Sequence, residues 1–75
     1  MLAMNYDDRI RAALPHARAA AALVGPLHAA WDAIFDAEAL LAGRPTILSG
    51  TREDVARALA ESLEWYLPRA ARIAT

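Results

Sequence analysis

The chain of 75 residues contains no cysteine and no lysine. Without cysteine, neither a disulfide nor a thiolate-bound metal can support the fold, and no residue is present to act as a thiol nucleophile or to form a Schiff base. The three glycines are isolated from one another, so there is no glycine-rich loop to bind phosphate. Ser49 lacks the glycine two residues earlier that a nucleophile turn requires. These absences favour a protein without cofactor and without catalytic activity of its own.

Positive charge is not concentrated anywhere in the sequence, and the formal net charge is −1. The charge is +1 over residues 1–24, −2 over residues 25–50 and 0 over residues 51–75. A protein that binds a phosphate backbone needs clustered cations. We therefore expect no nucleic acid as a partner.

Long hydrophobic runs are also missing. The longest uncharged apolar stretch covers nine residues between Arg18 and His28, whereas a membrane-spanning helix needs about 20. The N-terminus shows no cationic segment ahead of an apolar one, as a secretion signal would. We expect a cytoplasmic protein without a membrane span, and the excess of alanine and arginine indicates a GC-rich bacterial genome.

Large apolar side chains are few for a chain that must bury a core. Hydrophobic residues make up 57% of the sequence, but 20 of these 43 residues are alanine. We expect the chain to form one domain, residues 1–75, near the lower size limit for independent folding. Domains this small usually gain stability from disulfides, a metal or self-association, and the first is impossible here. We therefore expect a homo-oligomer, most simply a two-fold dimer.

The composition favours helix because Ala, Leu, Glu and Arg lose little entropy in that conformation. Apolar side chains recur at helical spacing from Tyr6 to Val24 and keep one phase through Pro15, which lies on the polar side. A proline in that position bends a helix rather than ending it. The pattern predicts a first helix over about 5–24, with Asn5 as its N-cap.

A Gly-Pro pair separates the first helix from a second. Glycine suits the residue after a helix end and proline the first turn of the next helix, so Gly25-Pro26 predicts a tight corner. The next apolar stripe predicts a helix over about 26–42, which ends at Gly43. In the connection that follows, we expect Ile47 and Leu48 to pack inward.

The third helix begins at Thr51, where Asp54 three residues later approximates a capping box. Its apolar stripe predicts a helix over about 51–74, kinked or frayed at Pro68 on its polar side. Together the three segments predict an all-α fold: a three-helix antiparallel bundle with proline kinks that dimerises into a larger helical bundle.

Three of the five aromatic residues lie at the margins of the predicted apolar stripes. Trp31 lies about 60° from the second stripe and Phe35 farther out, while Trp65 lies off the third. Such rings either cover the edges of a thin core or form an interface. Because aromatic residues are enriched in interface cores, we interpret the three together as an interface.

His28 and Asp32 are one helical turn apart and provide a different hypothesis, a metal site. Asp36 stands about 12 Å from His28 along the helix axis, so the three side chains cannot bind one ion unaided. The ordinary interpretation is that all three belong to the solvated face of an amphipathic helix.

The sequence thus predicts a small bacterial, cytoplasmic helical module for protein–protein interaction that self-associates. Two alternatives stay open. One is a metal- or small-molecule-binding helical protein that uses His28 and Asp32. The other is an accessory subunit of a larger enzyme complex, in which the exposed rings bind another protein subunit.

Overall fold

The computed structural model describes residues 5–25, 30–66, 68, 69 and 72. The helices are α1 (Tyr6–Val24), α2 (Ala30–Leu41) and α3 (Arg52–Glu61), and α3 continues into a π-helical segment, Ser62–Tyr66. No strand occurs in the described part of the chain, and the three helices pack against one another. The predicted all-α three-helix bundle is confirmed.

The first helix follows its prediction from one end to the other. The side chain of Asn5 accepts a hydrogen bond from the backbone N–H of Asp8 at 2.8 Å, and Gly25 ends the helix with a φ of 100°. Pro15 lies exposed within a continuous helix. The helix tolerates this proline because the carbonyl that loses its N–H partner faces water. The buried side chains of the helix are Ile10, Leu14, Ala17 and Ala21.

The end of the second helix is a Schellman motif. The N–H of Arg44 donates to the carbonyl of Ala39 at 2.8 Å, and the N–H of Gly43 donates to that of Leu40 at 3.1 Å. Gly43 has a φ of 74°, which favours glycine. The predicted stop at Gly43 is confirmed, whereas the start predicted near residue 26 lies outside the described residues.

The third helix is capped as predicted, since the Thr51 side chain accepts a hydrogen bond from the N–H of Asp54 at 3.1 Å. After ten regular residues the helix widens into the π-helical segment. Pro68, which follows, has no N–H for the carbonyl of Glu64 and would collide with that carbonyl in a regular α-helix. The predicted disturbance at Pro68 thus coincides with a widened turn before the proline.

Polar contacts between helices define the topology. A guanidinium nitrogen of Arg18 lies 3.0 Å from a carboxylate oxygen of Glu38. Closer to the corner of the chain, the indole N–H of Trp31 donates to the carbonyl of Gly25 at 3.0 Å. Because later residues of α1 meet earlier residues of α2, the two helices run antiparallel.

The first turns of α1 and α3 meet, since Arg52 at the start of α3 donates two hydrogen bonds to Asp7 at the start of α1. The described core is formed mostly by alanine and medium-sized aliphatic side chains. Its largest fully buried side chains are Ile10, Ile34, Leu59 and Leu63. The core is therefore thin, as the alanine content indicates.

The linker between α2 and α3 differs from the prediction. Ile47 and Leu48 do not pack inward but are 78% and 44% exposed. The linker is anchored by its backbone instead, because the N–H groups of both residues donate to the carboxylate of Asp36, at 2.8 and 3.3 Å. These bonds fix the linker without burying its side chains.

Candidate functional site

Trp31 and Phe35 form an aromatic pair on the outer side of α2. Their ring centroids lie 6.0 Å apart with an interplanar angle of 32°. Trp31 is half-buried against the core and hydrogen-bonded to Gly25, whereas Phe35 is 60% exposed. The tryptophan thus supports the phenylalanine on one side, and the rest of the Phe35 ring faces solvent.

The helical repeat explains why Phe35 cannot reach the core. Ala33 and Ala37 lie two residues before and after it and therefore about 160° around the helix. Ala37 is buried and Ala33 is packed against the core. Phe35 is consequently directed away from the bundle, and no rotation of α2 buries it without exposing the alanine side.

Trp65 lies in the π-helical segment and is 51% exposed. The guanidinium carbon of Arg69 stands 3.7 Å from the centroid of its ring, a cation–π stack. Beside the ring, Arg9 and Glu64 form a paired ion contact that joins α1 to the π-helical segment. The Arg9 guanidinium lowers the pKa of Glu64 through these hydrogen bonds. A shallow pocket of about 380 Å³ is lined by Arg9, Glu61, Glu64 and Trp65.

The structure describes two of the three residues of the metal hypothesis, Asp32 and Asp36. Asp32 is exposed, and His28 lies outside the described residues. Asp36 is predicted from the sequence to lie on the solvated face of the helix, but this prediction is wrong, because the residue is only 6% exposed. Both of its oxygens accept backbone N–H groups of the linker, so the carboxylate has a structural role. Over the described ranges, no group of three or more metal-ligating side chains occurs.

A depression of about 230 Å³ lies where the linker meets α2 and α3. Its lining includes the exposed Ile47, Leu48 and Asp32 and the buried Leu59. This surface is not predicted from the sequence, because the hydrophobicity of Ile47 and Leu48 assigns both side chains to the core.

Exposed large hydrophobic side chains are thus distributed over several parts of the surface. In the described part of the chain they are Leu23, Phe35, Ile47, Leu48 and Trp65. Among the residues that the structure describes, no helix has the length and apolar character needed to cross a bilayer. The structure describes a single chain, so the role of Trp31, Phe35 and Trp65 as an interface stays a prediction.

Comparison of this chain with protein families, with characterised proteins and with solved structures finds no match.

Proposed function

We propose that this protein is a small helical interaction module that self-associates, most simply as a homodimer, and has no catalytic activity of its own. The observation that carries the proposal is the aromatic pair on α2, in which Trp31 supports a phenylalanine that is 60% exposed. The proposal includes a bacterial cytoplasmic setting; the 20 alanines and the arginines without lysine support its bacterial part.

Solvent exposure of these rings has an energetic cost that association removes. Complete burial of a phenylalanine side chain is worth about 1.5–3 kcal/mol relative to exposure. This is a large amount for a core whose fully buried large side chains, in the part described, are Ile10, Ile34, Leu59 and Leu63. Aromatic side chains are also the residues that interface cores favour. A second copy that covers Phe35 therefore stabilises a fold that is poor in large buried side chains.

Sedimentation velocity and thermal melts from low micromolar to near-millimolar concentration test the proposal. We expect a dimer whose melting temperature rises with protein concentration, because association stabilises the folded state by mass action. The variant Phe35→Ser should weaken association without unfolding the chain, since Phe35 is 60% exposed and does not belong to the buried core.

Leu23→Ser is the matched control. Leu23 is 59% exposed, close to the value for Phe35, but it lies at the end of α1. It should leave the association constant unchanged. A chain that stays monomeric at every concentration would contradict self-association, and equal weakening by the two variants would contradict the assignment of the interface to α2.

A further inference from the structure

Two exposed surfaces each combine apolar side chains with one charged side chain, and the two charges have opposite sign. The first, the α2 patch, consists of Asp32, Phe35, Ile47 and Leu48. Asp32 and Phe35 are three residues apart and therefore neighbours on the helix surface, and Asp32 lines the same depression as Ile47 and Leu48. The patch combines three exposed apolar side chains with one exposed carboxylate.

The carboxylate of Asp32 has no hydrogen-bond or ion-pair partner among the described residues. Its segment of the sequence, residues 25–50, carries a net charge of −2. An exposed acid beside apolar side chains attracts a partner that presents a cation next to an apolar surface.

The second surface, the C-terminal patch, consists of Trp65 and Arg69. The Arg69 guanidinium stacks on the indole at 3.7 Å, and both residues are exposed. Stacking occupies the face of the guanidinium, while its N–H donors lie at the edge of the plane and can still bind a carboxylate. This patch therefore presents a large apolar ring with a cation held beside it.

We propose that the α2 patch of one copy receives the C-terminal patch of a second copy, with Trp65 against the apolar side chains and Arg69 against Asp32. This inference rests on the self-association proposed above and names the two surfaces that meet. Each copy carries both patches, so a two-fold arrangement makes the contact twice and closes a dimer. The stack restrains the arginine before binding, which lowers the entropy cost of the contact.

Charge reversal tests the pairing. Asp32→Arg and Arg69→Glu each place two like-charge contacts in a homodimer, and each should weaken self-association by at least about tenfold. In an equimolar mixture of the two variants, a heterodimer has opposite charges at both contacts. The mixture should therefore associate as the wild type does, and so should a chain that carries both substitutions.

The rescue experiment contains its own control for folding, because any local damage from either substitution persists in the mixture. Glu53→Arg is the matched control, because it reverses the charge of an exposed acid that lies outside both patches. This variant should dimerise like the wild type. Sedimentation velocity provides the association constants, and circular dichroism establishes that each variant is folded.

The two proposals fail in different ways. A wild-type chain that stays monomeric overturns the proposed function and this inference with it. A wild-type dimer that both reversals leave intact, or that they weaken without rescue in the mixture, overturns the pairing of these patches while self-association stands. If Glu53→Arg weakens self-association as much as Asp32→Arg does, the pairing is also overturned, because the change in net charge alone would then explain the effect.

Discussion

A carboxylate oxygen of Asp36 lies 2.8 Å from the backbone nitrogen of Ile47, eleven residues further along the chain. The second carboxylate oxygen accepts the N–H of Leu48 at 3.3 Å. A buried carboxylate is costly unless it is hydrogen-bonded, and here two amides of the linker supply those bonds. The contact fixes the path from α2 to α3 and leaves two aliphatic side chains exposed.

Asp36→Ala should destabilise the protein by about 1–3 kcal/mol, because it leaves two partly buried amides without an acceptor. Hydrogen exchange at the amides of Ile47 and Leu48 should accelerate more than exchange elsewhere in the chain. Denaturant unfolding and exchange measured by NMR provide the two readouts. Glu53→Ala, at an exposed acid outside both patches, is the control; unchanged protection of the two amides in Asp36→Ala would show that the carboxylate does not hold the linker.

Gly25→Ala should destabilise the protein by about 1–3 kcal/mol for a reason that involves no packing. Gly25 has φ 100° and ψ 162°, a region that side chains disfavour strongly, and an added Cβ would meet nothing within 4 Å. Gly43, at φ 74°, accepts asparagine more readily because the left-handed helical region tolerates it. Unfolding free energies should therefore fall more for Gly25→Asn than for Gly43→Asn, and equal losses would argue against a backbone origin.

Pro15→Ala should stabilise the protein by about 2 kcal/mol. Proline costs about 3 kcal/mol inside a helix. Alanine gives the unfolded chain more conformational freedom than proline does, and this offsets at most about 1 kcal/mol of the gain in stability. The site is exposed, so packing does not change. Pro45→Ala in the linker between α2 and α3 is the control and should not raise the melting temperature. Loss of stability in Pro15→Ala would indicate that the proline ring makes a contact that its exposure does not suggest.

Stability should decrease as the solution is acidified. The Arg9 pair lowers the pKa of Glu64, and hydrogen bonds from Arg52 lower that of Asp7. A carboxyl whose folded pKa lies below its unfolded value contributes stability above the unfolded pKa, near 4, and loses it as pH falls through the folded pKa.

The variant Glu64→Gln tests this pH dependence. At neutral pH it should be less stable than the wild type by less than about 1 kcal/mol, because the ion pair is one-third exposed and screened. The difference should disappear at a pH below the folded pKa, where the wild-type carboxyl is also neutral. Urea unfolding at both pH values provides the comparison, and an equal difference at the two would contradict a contribution from the charged pair.

The sequence predicts those features that depend on short-range physics. Caps at Asn5 and Thr51, and stops at Gly25 and Gly43, follow from hydrogen bonds and backbone angles within four or five residues. Continuity of α1 through a proline follows from the phase of its apolar stripe. The outward direction of Phe35 follows in the same way, because helical geometry sets it relative to its neighbours.

Tertiary structure alone decides how the linker is held. Ile47 and Leu48 have the hydrophobicity of core residues and Asp36 has the charge of a surface residue, yet their environments are reversed. An irregular segment has no fixed repeat that assigns a side chain to one face, and its amides need acceptors wherever they are partly buried. Which acceptor they find depends on where α2 and α3 place the segment, and that relationship exists only once the helices have packed.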